Sequence, residues 1–251
     1  MLSPSPKKAA LASALLLLLA AAAPFARADD DKDEKHSYDP AIAYRPVRFF
    51  ANVDLFAVND ADKNWKKSLQ NTIDTLGTTL GATSGEINSY GAVGVRAGVL
   101  RITESGWEAG GSLGYISGPS AEANIDTTIS GVGTLHTEDK FEAAFTRLLA
   151  EARKSARVSR RVSLRLGVGA GIAWGRLKQT TDLSGTSSSS NNMTEKWHGF
   201  TGEISPAIIF DINPVSVEFG LRYVHMPRKA KSDNFDSFKW NPFGVFAGLM
   251  F

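Results

Sequence analysis

The stretch Phe243-Gly-Val-Phe-Ala-Gly-Leu-Met-Phe251 alternates without a break. Phe243, Val245, Ala247, Leu249 and Phe251 share one parity, so an extended strand sets them on a single face. Gly244, Phe246, Gly248 and Met250 take the other face.

Upstream, the same period of two recurs. Residues 46–58 set Phe49, Ala51, Val53 and Leu55 against Arg48, Asn52 and Asp54. Residues 87–101 set Val93, Val95, Ala97 and Val99 against Gly94, Arg96 and Gly98, and 105–117 set Trp107, Ala109, Leu113 and Tyr115 against Glu108, Gly110, Ser112 and Gly114. The longest run is 160–176, where Val162, Leu164, Leu166, Val168, Ala170, Ile172 and Trp174 oppose Ser163, Arg165, Gly167, Gly169, Gly171 and Gly175. Segments 199–211 and 214–226 repeat the pattern. Residues 138–155 fit either a strand or a helix: Phe141, Phe145, Leu148 and Ala152 line a helical face, and the composition favours helix. An even strand count and the short link to the next segment favour strand.

The links sort by length. Those near 102–105, 156–160 and 211–214 are short, whereas 59–86, 118–137, 177–198 and 227–240 are long and polar. Strict alternation of tight turns with long loops is the habit of outer-membrane barrels. In the first long link, Trp65, Leu69, Ile73, Leu76 and Leu80 lie near helical spacing, which suits either a short helix at the barrel mouth or a partly ordered loop. Ser187 to Asn192 is low-complexity.

The first 28 residues read as an export signal: Lys7 and Lys8, an apolar run with Leu15 to Leu19, then Ala26-Arg27-Ala28 before an acidic block. The alternative, a membrane anchor, needs about 20 apolar residues. Residues 29–44 read as a charged periplasmic leader, and 45–251 as the barrel. Removing Lys7, Lys8 and Arg27 with the signal leaves 25 basic against 26 acidic residues. The basic balance of the whole chain therefore carries no case for nucleic acid. No cysteine is present, so disulfides and thiolate metal sites are excluded. Beyond the signal no long apolar run occurs, and the remaining way to span a membrane is a closed sheet. The expected fold is all-β: an eight-stranded antiparallel up-and-down transmembrane β-barrel.

In such a barrel the apolar faces meet lipid, and the faces with Gly, Ser and charges point inward. Trp107, Tyr115, Trp174, Phe200, Tyr223, Trp240, Phe243 and Phe251 suit interfacial girdles. Arg48, Asp54, Arg96, Glu108, Glu151, Arg153, Arg165, Glu203, Glu218 and Arg222 fall in the inward frame. They would pair with one another as a structural plug, or line a pore. A soluble carrier barrel would reverse the two faces. With a turn at Ile212-Asn213, Glu203 stands opposite Arg222, which predicts a buried contact. Gly167, Gly169 and Gly171 would leave room for arginines of other strands.

Catalytic candidates are sparse. His36 is in the leader, and His136, His198 and His225 map near the external rim. Lipid A deacylase barrels carry a nucleophilic Ser two positions after their His, and His225-Met226-Pro227 has none; metal-ligand spacing is also absent, so no catalytic, cofactor-binding or metal residue is assigned.

From Arg45 to Phe251 the chain resembles the small outer-membrane barrels of the OmpA-like and opacity-protein type. Leu148-Leu-Ala-Glu-Ala-Arg153 followed by Val162-Ser-Leu-Arg-Leu-Gly-Val-Gly-Ala-Gly-Ile-Ala-Trp-Gly175 carries the likeness. The resemblance implies residence in the outer membrane of a Gram-negative bacterium, among outer-membrane lipid and lipopolysaccharide. It implies that the final strand is read by the barrel-assembly machinery. It implies a structural or surface-interaction role carried by the long loops toward an extracellular ligand, with a narrow porin-like channel or a lipid A-modifying enzyme as alternatives, and no cofactor.

Overall fold

The computed structural model describes residues 47–57, 61–103, 106–185, 188–230 and 238–251. The expected signal and leader, residues 1–44, lie outside these. In chain order the elements are β1 (Val47–Phe56), α1 (Ala61–Leu80), β2 (Ala82–Tyr90), β3 (Ala92–Ile102) and β4 (Trp107–Ile129), then β5 (Gly133–Arg157), β6 (Val162–Ser184), β7 (Ser189–Ile212), β8 (Val215–His225) and β9 (Phe243–Met250).

Eight of the nine strands close a ring. Antiparallel pairing runs β4-β3-β1-β9-β8-β7-β6-β5, and β5 pairs back onto β4. The first and last ring strands meet directly, Phe50 opposite Met250 and Phe56 opposite Gly244. Residues 138–155 are strand, not helix, because pairing with β4 and β6 on both sides overrides their intrinsic preference. The apolar parity faces out, with Phe49, Leu113, Leu164 and Phe200 exposed, while the charged parity is buried. No helix among the described residues is long and apolar enough to cross a membrane.

Two of the expected long loops are instead strand. β4 to β7 run 23, 25, 23 and 24 residues, against 8 to 11 for the other ring strands. A span of the bilayer takes about 9–11 residues. At the rise of an extended chain the surplus adds about 40 Å of strand beyond the ring, forming a wall of sheet. Residues 118–137 and 177–198 read as loops because the sidedness of the pattern inverts there. Above the lipid the outer face turns polar, while Ala121, Ala123, Ile125, Phe141 and Leu177 are buried on the inner one. The register of β4 against β5 shifts between Ser117 and Ser120. Gly118 sits at φ +103°, and a side chain there would meet the Ala92 backbone at 2.9 Å, so glycine is required.

α1 and β2 complete the wall, where the sequence left a helix and a loop open. β2 pairs with the upper part of β4. α1 buries Trp65 and Leu69, and Ile73 and Leu76 pack against the same core. Gly81 ends the helix at φ +140°, where a Cβ would stand 2.6 Å from the Thr128 carbonyl oxygen.

Candidate functional site

The ring interior is filled in two main layers, beside a small buried apolar cluster of Phe50, Leu100, Ile209 and Met250. The lower is ionic. Asp54, Glu108, Glu151, Glu203 and Glu218 are buried there with Arg96, Arg147, Arg153, Arg165 and Arg222. Every ring strand except β9 supplies at least one of them, because every second residue points inward. Glu203 sits at the hub, accepting from Arg96 and, at 2.7 Å, from Arg147 Nη2. Glu151 accepts from Ser112 and from Arg153 Nη2 at 2.6 Å. Arg165 pairs with Glu218, and Arg222 donates to Asp54. Arg153 also lies over the Phe50 ring at 3.9 Å. Equal numbers of each sign in a lumen this narrow describe a cross-braced filling.

The expected Glu203–Arg222 pair is corrected in its geometry. The turn falls at Asn213-Pro214, with Ile212 opposite Val215, so Val224 rather than Arg222 faces Glu203. A two-residue shift preserves which face a side chain takes, so both groups still point inward. Arg222 Nε remains 3.7 Å from Glu203, but its hydrogen bond goes past β9 to Asp54 on β1. Arg147, absent from the sequence-derived set, shares the parity of Glu151 and Arg153 on β5, so the alternation that placed those two inward also points to it. The inward glycines also differ from expectation. Gly169 lies between the Glu203 and Glu151 side chains, and Gly167 beside Ser205 and Arg153, so carboxylates gain room as much as arginines do.

The upper layer is aromatic. Trp65 of α1 stacks on Phe141 at 5.8 Å and on Phe238 at 5.0 Å, and Phe145 stacks on Trp240 at 5.6 Å. Trp197 meets Phe145 edge-on at 5.5 Å. Trp240 was expected at a lipid interface but is fully buried in this cap. In the described ends of the β8–β9 link, Lys229 bridges to Phe238 and its ammonium lies 3.1 Å from Glu195. The remaining girdle residues Trp107, Tyr115, Trp174, Phe200, Tyr223, Phe243 and Phe251 are exposed on the outer face as expected.

Among the described residues the histidines do not converge. His136 is well up the wall, its Nδ1 2.7 Å from Asp126. His198 faces outward beside Trp174, and His225 pairs with Gly202 on the next ladder.

Inside the wall, Asp139 accepts from Gln179 Nε2 at 3.0 Å and from Thr181 Oγ1 at 3.1 Å. Burial pushes its carboxyl above the usual range, with these hydrogen bonds pulling partly back. The folded sheet therefore holds the proton more tightly than the unfolded chain does. The contribution of Asp139 to stability is fully present below the ordinary carboxylate value of about 3.9 and is lost as pH rises through the raised one. Protection factors of residues 137–141, with exchange rates divided by their intrinsic values at each pH, should fall over that interval, and Asp139→Asn should remove that fall.

A closed ring of eight antiparallel strands, apolar outside and ionic inside, is a small outer-membrane β-barrel. No family profile matches the chain and no curated protein does. Among solved structures, it is similar to neisserial surface protein A, at 11% identity over 82% of this chain and 96% of that one, TM-score 0.36. It is also similar to the attachment invasion locus protein of Yersinia pestis in complex with the heparin analogue sucrose octasulfate, at 12% identity over 82% and 100%, TM-score 0.34. A third is the translocator domain of the autotransporter NalP from Neisseria meningitidis, at 11% identity over 98% and 97%, TM-score 0.23.

Proposed function

We propose that this outer-membrane barrel is a structural and surface-interaction protein whose outward chemistry lies on the sheet built from β2 and the upper parts of β4 to β7. The observation that carries this reading is the doubly closed lumen. The cross-braced ions fill the ring, and Trp65, Phe141, Phe145, Phe238 and Trp240 cover them. A solute path would have to break both layers. What remains open to an external partner is the wall, with the tip of its β4–β5 hairpin exposed at Val132. Export by the N-terminal signal, recognition of β9 by the barrel-assembly machinery, and contact with outer-membrane lipid and lipopolysaccharide belong to the same proposal. Catalysis does not.

Two measurements test it. In planar bilayers the protein should give no discrete conductance steps, and Trp65→Ala should stay silent because the ionic layer persists. Regular openings of the unmodified protein would restore the channel reading. Replacing 121–141 and 178–194 with tight turns should leave a barrel whose unboiled form migrates differently from its boiled form. Cells carrying the trimmed protein should lose the surface attachment that the full-length protein confers. Equal attachment by both would remove the role from the wall.

A further inference from the structure

We infer that the outer wall of β5 to β7 holds a binding site for the phosphate of an acylated, phosphorylated glycolipid in the outer leaflet. The inference deepens the lipid contact proposed above by assigning it residues.

Three successive outward rungs carry the argument. The lowest is aliphatic and aromatic: Leu113, Leu148, Ile172 and Phe200 are neighbours across four strands, between 48% and 64% exposed. One rung higher, about 7 Å along the strands, Tyr115, Thr146, Trp174 and His198 stand side by side. One rung higher again, Arg176 lies between Ala144 and Lys196. Hydrocarbon contact thus passes through an aromatic step to a pair of cations within two rungs. That is the polarity profile of an acyl chain, its glycolipid shoulder and its phosphate.

Arg176 and Lys196 are directly opposite one another on adjacent strands, and like charges so placed repel. Among the described residues no carboxylate is paired with either. On the next rung Lys178 stands opposite Glu142, which Lys140 also holds at 3.3 Å, so the unbalanced pair is confined to the rung of Arg176 and Lys196. Two unbalanced cations on a paired sheet favour an anion between them, and Arg176 can grip a phosphate through two N–H groups. The small side chains of Ala144 and Thr146 leave a shallow cleft of about 430 Å³ bordered by Trp174, Arg176, Lys196 and His198. The cleft faces the side that lipid covers, above the belt and outside the closed lumen.

The test uses the full folded protein in detergent, titrated with bis-phosphorylated hexa-acyl lipid A and read by native mass spectrometry. Arg176→Gln with Lys196→Gln should weaken binding roughly thirtyfold. Arg160→Gln, in the turn at the opposite end, should leave it unchanged. Dephosphorylated lipid A should bind the unmodified protein as weakly as the double variant binds the intact lipid. Millimolar inorganic phosphate should not displace the lipid; displacement would assign the site to free phosphate and overturn the lipid reading. Equal affinity of double variant and unmodified protein, both showing the boiled-versus-unboiled mobility shift, would overturn the site itself. Neither result would touch the bilayer-silence or wall-trimming tests.

Discussion

Glu203→Ala should destabilise the folded barrel by about 3–5 kcal/mol, the usual cost of stripping a partner from a buried charge cluster. Glu203 answers Arg96 and Arg147 directly and lies 3.7 Å from Arg222. Its removal leaves excess positive charge in a lumen that water does not reach freely. Arg96 keeps Glu151 at 3.1 Å, but Arg147 has no second carboxylate among the described pairs. Arg147→Met combined with Glu203→Met should cost less than Glu203→Ala alone, since a neutral, volume-matched pair removes the desolvation penalty along with the attraction. Arg48→Ala gives the contrast. Arg48 holds Glu108 at 3.2 Å but is partly open to solvent, so its loss should cost at most about 1 kcal/mol. Equilibrium urea unfolding in phospholipid vesicles, followed by tryptophan fluorescence, measures all three. A Glu203→Ala cost below that of Arg48→Ala would mean that the lumen is wet and its charges individually hydrated.

The second large effect separates lipid from water on one continuous outer surface. Val168, 45% exposed, lies at mid-height of the ring between Ala152 and Ile204. Val132, 59% exposed, lies at the tip of the β4–β5 hairpin. For a water-soluble barrel arginine would be harmless at both. In a bilayer Val168→Arg should cost about 2–4 kcal/mol, the penalty for a cation on the lipid face near the midplane. Val132→Arg should stay within about 0.5 kcal/mol, as surface substitutions do. The same vesicle unfolding experiment reads both. Equal, small costs would remove the membrane from the account, because the exposure of the two sites is comparable and only the solvent differs.

Much of the ring was legible because burial on two unlike sides writes itself as alternation. Leu164, Leu166 and Val168 against Arg165 and Gly167 fix which way β6 faces before any neighbour is known. The inward charges followed from the same parity, and all of Asp54, Arg96, Glu108, Glu151, Arg153, Arg165, Glu203, Glu218 and Arg222 are buried as expected. The wall was not legible. Ala121, Ala123 and Ile125 alternate with polar residues just as ring strands do, but their apolar side faces in, against α1. Read with the ring's rule they look like polar loop. The Asn213-Pro214 turn shifted one register by two, and with it the hydrogen bond of Arg222 passed from the neighbouring strand to β1, two strands away.

Sequence by itself determined the strands of the ring, their outward and inward faces and the balance of charge within, since each depends only on whether a residue meets oil or a polar interior. Tertiary structure alone decided where the strands stop, which carboxylate each arginine grips, and that Trp240 and Trp65 close the mouth. Those outcomes depend on register and on contacts between segments far apart in the chain. A period of two leaves both unspecified: sliding a strand by two residues keeps every side chain on its face while exchanging all of its partners.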